Sequence, residues 1–455
     1  MDNLHQELEE LHGTKRHDEE PSVEMQEISF PEKPCRVLVI AYYFPPMGLS
    51  GVFRVSKFVK YLPKFGWQPT VLTVETTGYY AHDYALLKEV EEAGVEIVRT
   101  KTLDPLRILG RRKRTIAMPP DGPRRFLSGI SHTILQPDNK IGWKHYAVRE
   151  GLNLLQEKEY EAILSTAPPF TDFLIGLELH HKTGIPLIVD YRDPWLDNQH
   201  YFYATPLHRH YAAGMEEDVL KNSEGIVVVN RRIKEQLIAR WPFLTHEHVH
   251  IIPSGFDPED IVFSRPERVK GKKMRFIYSG LFDARRTPRY LFEAMGKVFA
   301  KYPEAHNEIE LCFIGTFRET HKQLAAKLGV GSALVTPGYV EHREVMDWLL
   351  SSDVLWLTIY DPSITPGKVY EYIGTRKPIL ALAPEGVIRK VLEDYEAATC
   401  VAPNSVQDIA DAIERYYQLW KAGELPVGAA NKADAHDARI LTEQLARILS
   451  HSMRL

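Results

Sequence analysis

Short apolar runs alternate along this chain with longer stretches whose apolar residues recur at helical spacing. In the first half the runs at 35–41, 68–74, 95–99, 162–165, 185–190, 225–229 and 249–252 are nearly continuous. That is the pattern of strands buried on both faces, as in a parallel sheet. Between them, Val55, Phe58, Val59 and Leu62 fall on one side of a helix running to about residue 65, with Pro63 distorting its last turn and Gly66 ending it. Further helices are predicted to end near 94, to cover 141–158, to end near 182, to cover 207–221 and to end near 241. The second half repeats the rhythm. Strands are predicted at 275–280, 310–315, 334–336, 353–359, 379–382 and 398–401, with the last two helices over 404–421 and 435–453. This alternation predicts an α/β protein built of two doubly wound, Rossmann-like domains facing a cleft. The turn-rich segment Pro253-Ser-Gly-Phe-Asp-Pro258 reads as the linker. The expected division is 33–253, 254–425 and a C-terminal helix within 426–455 able to pack back on the first domain. Residues 1–32, with Glu7, Glu9, Glu10, Asp18, Glu19, Glu20, Glu24 and Glu27, are expected to be a disordered acidic tail.

Composition narrows this picture. A chain of 455 residues is too long for one core. The content of 44% apolar and 26% charged residues is that of a soluble globular protein, and a net charge of −5 makes no case for nucleic acid as a partner. Cys35, Cys312 and Cys400 lie in or beside apolar runs, as reduced cytoplasmic thiols do. No apolar run is long enough to span a bilayer, and the N-terminus lacks the apolar core of a signal peptide. The expected location is therefore cytoplasmic, with one candidate for peripheral contact at the inner membrane face. Segment 106–130 mixes Arg107, Arg111, Arg112, Lys113, Arg114, Arg124 and Arg125 with Leu106, Ile108, Leu109, Ile116, Met118, Phe126, Leu127 and Ile130, the composition of a surface that meets anionic head groups. A solvated basic loop is the plainer alternative.

Chemistry enters most clearly at Ser363-Ile-Thr-Pro-Gly-Lys-Val-Tyr-Glu371. It follows a buried strand and opens a helix, with Thr365 as N-cap, Pro366 in the first turn, and Gly374 and Pro378 closing it. Free amides and the helix dipole at Thr365 and Gly367 suit a phosphate, and Lys368 adds a cation where only an anion makes one favourable. One turn on, Glu371 can accept hydroxyl protons. Two earlier sheet edges supply partners. Gly280 precedes Arg285 and Arg286, which suit a pyrophosphate, and Pro337-Gly-Tyr-Val340 offers Tyr339 and Val340 to a nucleobase. In the first half the loop 42–51 carries Gly48 and Gly51, whose spacing is not the dinucleotide pattern, although Glu75 after the next strand keeps a nicotinamide enzyme as a weak alternative. Asp190-Tyr-Arg-Asp193 puts two carboxylates at a strand's end, either to orient a substrate or to form an ion pair pinning the loop. No Asp-x-Asp pair is present, so neither a metal nor another cofactor is expected.

Taken together, the loop 42–51, Gly280 with Arg285-Arg286, Pro337-Gly-Tyr-Val340 with Glu344, and Thr365-Pro-Gly-Lys-Val-Tyr-Glu371 resemble, in order and spacing, the retaining glycosyltransferases of family four (glycosyl transferases group 1), which have the GT-B fold. The resemblance covers about residues 35–420. It implies transfer of a sugar from a nucleoside-diphosphate donor to a hydroxyl on a glycan, lipid-linked sugar or small molecule, with retention and without a metal ion, in the synthesis of cell-surface or other glycoconjugates. Arg286 and Lys368 would neutralise the diphosphate, Glu371 would orient ribose or sugar, and Asp193 or Asp190 would orient acceptor or donor sugar. Gly48 and Gly51 would let the acceptor wall approach the donor. Three departures stand out. Ser363 occupies the position of the family's first glutamate, Leu281 that of the arginine after the phosphate-loop glycine, and Asp190-Tyr-Arg-Asp193 the strand end that usually carries a histidine. Two rivals stand beside this reading: a nucleotide-sugar 2-epimerase, which shares the fold by resemblance, and a non-catalytic nucleotide-sugar or membrane-binding protein, suggested by the missing glutamate and histidine.

Overall fold

A computed structural model of the chain describes residues 34–48, 51–76, 81–104, 135–198, 203, 205–268, 272–282 and 286–453. The acidic tail, the whole of segment 106–130 and Arg285 lie outside these residues.

The first domain holds strands β1 (Cys35–Ile40), β2 (Trp67–Val74), β3 (Glu96–Thr100), β4 (Ala162–Ala167), β5 (Leu187–Tyr191), β6 (Gly225–Val228) and β7 (Val249–Ile251). They form one parallel sheet in the order β3-β2-β1-β4-β5-β6-β7. The second domain holds β8 (Met274–Ser279), β9 (Ile309–Ile314), β10 (Leu334–Gly338), β11 (Val354–Thr358), β12 (Ile379–Leu382) and β13 (Ala398–Val401), again parallel, in the order β10-β9-β8-β11-β12-β13. The strand order reverses between β1 and β4 and again between β8 and β11. At such a switch point the loops after the strands diverge and leave a crevice for ligand.

Both faces of each sheet are covered by helices, which is why the strands read as unbroken apolar runs. In the first domain Trp143, Phe170 and Phe173 fill one face. The other face packs Val37, Val39 and Leu164 against Val55 and Val59 of the Phe53–Tyr61 helix, and against Leu441, Leu445 and Leu449 of the Ala438–Ser452 helix. The chain's last helix thus crosses from the second domain to the first, and Trp67 Nε1 donates to Ser450 Oγ at 3.2 Å there. Pro63 opens a 3-10 turn and Gly66 ends it in the left-handed region, φ 77°, as the sequence predicts.

The donor-side helix differs from its prediction. It spans Lys368–Thr375 with Gly367, not Thr365, at the N-cap, and Gly374 lies inside it rather than ending it. The ring of Phe256, in the linker, occupies the space a side chain at 374 would need. The left-handed residue is Arg376, φ 59°, where Gly428 N donates to its carbonyl at 3.0 Å and its own Nε donates to Gly428 O at 2.7 Å. Those two bonds hold a conformation that a non-glycine residue rarely adopts.

Candidate functional site

The second domain's sheet edge is lined by glycines. Gly280, Gly315 and Gly338 follow β8, follow β9 and end β10, with φ of 125°, 120° and 91°. Gly280 N donates to Ile314 O and Gly315 N to Gly338 O, each at 2.7 Å. A Cβ at Gly315 would collide with the Gly280 carbonyl, so the edge stays pure backbone. Sequence reading singled out Gly280 and Gly338 but not Gly315, whose place is set by its neighbours across the sheet.

Lys368, in the first turn of the Lys368–Thr375 helix, lies on this edge. Its Nζ donates to Ser279 O at 2.5 Å and sits 3.7 Å from the centre of the Tyr278 ring. A Cβ on Gly280 would come within 2.8 Å of the same nitrogen. A cation at a helix N-terminus opposes the dipole. Here a carbonyl and a π face hold it in place, so positive charge, helix amides and bare backbone meet at the β8/β11 switch point. Gly367 adds open space, since a Cβ there would touch nothing within 4 Å among the described residues. Thr365 stands just before it, half-buried, and Arg286 is half-buried at the far end of the Gly280 loop.

Glu371 is joined by a residue the sequence did not flag. His342 opens the His342–Leu350 helix. Its Nδ1 lies 3.9 Å from Glu371 Oε1, and its Nε2 lies 3.2 Å from Asp260 Oδ2 of the Pro258–Val262 linker helix. Burial alone would push this imidazole down. The hydrogen bond and charge of Asp260, with the charge of Glu371, outweigh burial and raise its pKa to about 9. His342 N donates to Asp83 Oδ2 at 3.2 Å, and its ring packs on Phe53 with centroids 4.3 Å apart, both partners being in the first domain. A lone histidine after a turn carries no sequence signal, and only the tertiary fold assembles its four neighbours.

Tyr339 and Val340 divide. Val340 packs on the second domain's core beside Met346 and Leu349. Tyr339 is 47% exposed and reaches the first domain instead, where a Cβ on Gly48 would lie 2.6 Å from its hydroxyl oxygen. Gly48 therefore admits a side chain from across the cleft.

On the first-domain wall Asp190 requires correction. Expected to orient a substrate, it is buried at the end of β5 with both oxygens engaged. Arg54 Nη2 donates to Oδ1 and Thr166 Oγ1 to Oδ2, each at 2.8 Å, while Arg54 Nε reaches both oxygens at 3.1 Å. A carboxylate brought into a sheet edge needs such a partner. The ion pair weighed for this motif forms, but with Arg54 rather than with Arg192. The Arg192 guanidinium donates to the carbonyls of Gly51 and Pro168, tying the loop after β1 to the turn after β4. Asp193, half-buried, follows in the same loop.

Two charge clusters, one of them partly exposed, complete the surroundings. Glu89, Asp257 and Glu259 come close enough to hold a metal ion, yet Lys60 Nζ sits among them, 2.7 Å from both Asp257 and Glu259 and bonded to Glu89. Lys57 joins at 2.8 Å from Asp257 and 3.2 Å from Asp260. Beyond β1, the Tyr42 hydroxyl donates to Asp104 Oδ2 at 2.5 Å, Lys140 pairs with the same carboxylate, and Asp172 Oδ2 accepts from Tyr42 N at 2.8 Å. Burial raises the Asp172 and Asp138 carboxyls.

Residues 51–260 match the family described as Glycosyltransferase Family 4, and residues 261–433 match Glycosyl transferases group 1. The matches meet inside the linker helix. No curated protein matches the chain. Among solved structures, Anabaena Alr3699/HepE in complex with UDP and glucose superposes with a TM-score of 0.63 at 14% identity, covering 92% of this chain and all (100%) of that one. Sucrose-phosphate synthase from Thermosynechococcus elongatus superposes at 0.60 and 14% identity, over 90% of this chain and 97% of that one. A Listeria monocytogenes protein described as a putative UDP-N-acetylglucosamine 2-epimerase follows at 0.52 and 12%, over 88% and 94%. At these identities the likeness is one of fold.

Proposed function

We propose that this chain, a GT-B glycosyltransferase by its two family matches and its fold, moves a sugar from a nucleoside-diphosphate donor to a hydroxyl acceptor with retained configuration. The observation that carries this reading is the placement of Lys368 Nζ on the Gly280 edge, beside the N-terminus of its own helix. In the reaction the bond from the anomeric carbon to the diphosphate oxygen breaks. The acceptor oxygen takes its place, and its proton leaves with the diphosphate. Charge therefore grows on the leaving group as the bond stretches. Lys368, held in advance by Ser279 O and the Tyr278 ring, neutralises it without a metal ion, together with Arg286 and the amides following Gly367. Glu371 orients ribose or sugar hydroxyls, and Asp193 serves the face toward the acceptor. Retention follows from the resemblance in motifs. The acceptor is a glycan, lipid-linked sugar or small molecule of glycoconjugate synthesis, reached at the inner membrane face if segment 106–130 binds lipid.

UDP and glucose occupy the Anabaena structure, so UDP-sugars head the donor panel. Wild type should release UDP in the presence of an acceptor and give a product with the donor's anomeric configuration, read by NMR. Lys368→Ala should raise the donor Kd at least about tenfold, the worth of one charge-assisted hydrogen bond. Free sugar epimerised at C2 without an acceptor would instead establish the epimerase. Donor binding with neither transfer nor hydrolysis would establish a non-catalytic binder.

A further inference from the structure

We infer that His342 is a positioning residue for Glu371, holding the donor-side carboxylate in a place set by the first domain and thereby tying donor binding to the arrangement of the two domains. The inference rests on the donor role proposed for Glu371.

The geometry is a line of alternating groups drawn from four elements. Lys57 of the Phe53–Tyr61 helix lies 3.2 Å from Asp260 of the linker helix. Asp260 accepts from His342 Nε2 at 3.2 Å, and His342 Nδ1 faces Glu371 Oε1 at 3.9 Å. An imidazole can bond Asp260 and attract Glu371 together only when both ring nitrogens carry hydrogen. Burial disfavours that charged form, but the two carboxylates outweigh it, and Lys57 is the cation that opposes it. The charged groups facing the ring are thus Asp260, Glu371 and Lys57, with Asp83 at its backbone amide.

What fixes the ring is the first domain. Phe53 packs on its face, and Asp83 caps the Tyr84–Glu92 helix while accepting from His342 N. Glu371 itself sits on the second domain, so its orientation is set from across the cleft. Opening the cleft would part the ring from Phe53 and Asp83, the contacts that fix how it faces Glu371. A donor that needs Glu371 then binds best when the domains are closed.

Two measurements test this, and the first needs no donor. In NMR titrations the His342 ring, identified by its loss in His342→Gln, should titrate well above an ordinary histidine and shift down in Glu371→Gln. The second is calorimetric binding of UDP and UDP-glucose to wild type, His342→Gln, Glu371→Gln and the double variant, each checked for an intact melting transition. Each single variant should weaken donor binding about tenfold, and the double variant little further. Wild-type affinity should begin to decline near pH 9, and in His342→Gln the decline should start at higher pH. An unshifted His342 ring in Glu371→Gln, or independent additive losses in the double variant, would overturn the inference while leaving the donor reading intact. If wild type bound no donor in the panel, the donor reading would fail and take this one with it.

Discussion

Gly280 is where one atom decides most. Its φ of 125° suits glycine alone, and a Cβ would stand 2.8 Å from Lys368 Nζ. Gly280→Ala should cost about 1–3 kcal/mol of stability from backbone strain. It should also push the ammonium off the edge, so UDP affinity should fall more than the melting temperature suggests. Calorimetry beside a thermal melt separates the two effects, and unchanged affinity in a destabilised protein would dissociate Lys368 from the donor. That Gly280 ends a strand was legible in the sequence, because the apolar run before it stops there. Asp190 was expected to orient a substrate, with an ion pair as the alternative, and the ion pair is what forms. Its partner Arg54 is 136 residues away, and no local pattern says that an arginine at the start of a distant helix will bond it. His342 was not legible at all. Its meaning lies in Asp260, Glu371, Phe53 and Asp83, which only folding brings together.

At the scale of elements, the apolar runs were read closely because every strand is parallel and covered on both faces. The end of the Lys368–Thr375 helix was misread for a definite reason. Gly374 looks like a helix terminator, yet it serves packing, since Phe256 of the linker lies against its Cα and the helix continues one residue further. Gly374→Ala should therefore destabilise the protein by about 1–3 kcal/mol through overpacking, although alanine is the better helix former. Adding Phe256→Leu should restore part of that loss, because a smaller, more pliable side chain can make room for the methyl. Denaturant melts of the two single variants and the double variant check this, and strictly additive losses would place the constraint elsewhere. The coupling bears on function, since this helix carries both Lys368 and Glu371 and Phe256 fixes it to the interdomain linker.

For the molecule as a whole, the linkage between domains is electrostatic enough to be read by pH. His342 has a pKa of about 9 in the fold against about 6.5 in an unfolded chain. A group raised in this way contributes its full stabilisation below about pH 6.5 and loses it as pH rises through about 9. Asp257 and Asp260 run the other way. Burial would raise them, but Lys57, Lys60 and His342 hold both below the usual carboxylate range. Their contribution is present above about pH 4 and is lost as pH falls below it. Glu216, buried in the first domain and raised to about 7 chiefly by burial, adds a separate loss of stability between its ordinary range and pH 7. The Cys312 thiol, pushed up to about 12 by burial, and the buried tyrosines, raised by burial too, add their own losses mainly above pH 9, so His342 dominates the window from pH 7 to about pH 9. Over it, wild type should lose on the order of 3 kcal/mol at most, and His342→Gln should stay nearly flat. Glu371→Gln should show a smaller slope than wild type, because one of the two carboxylates that hold the imidazolium charged is gone. If the His342→Gln melting temperature fell with pH as steeply as wild type, the alkaline loss would belong to the buried thiol, the tyrosines and the lysines, and not to His342.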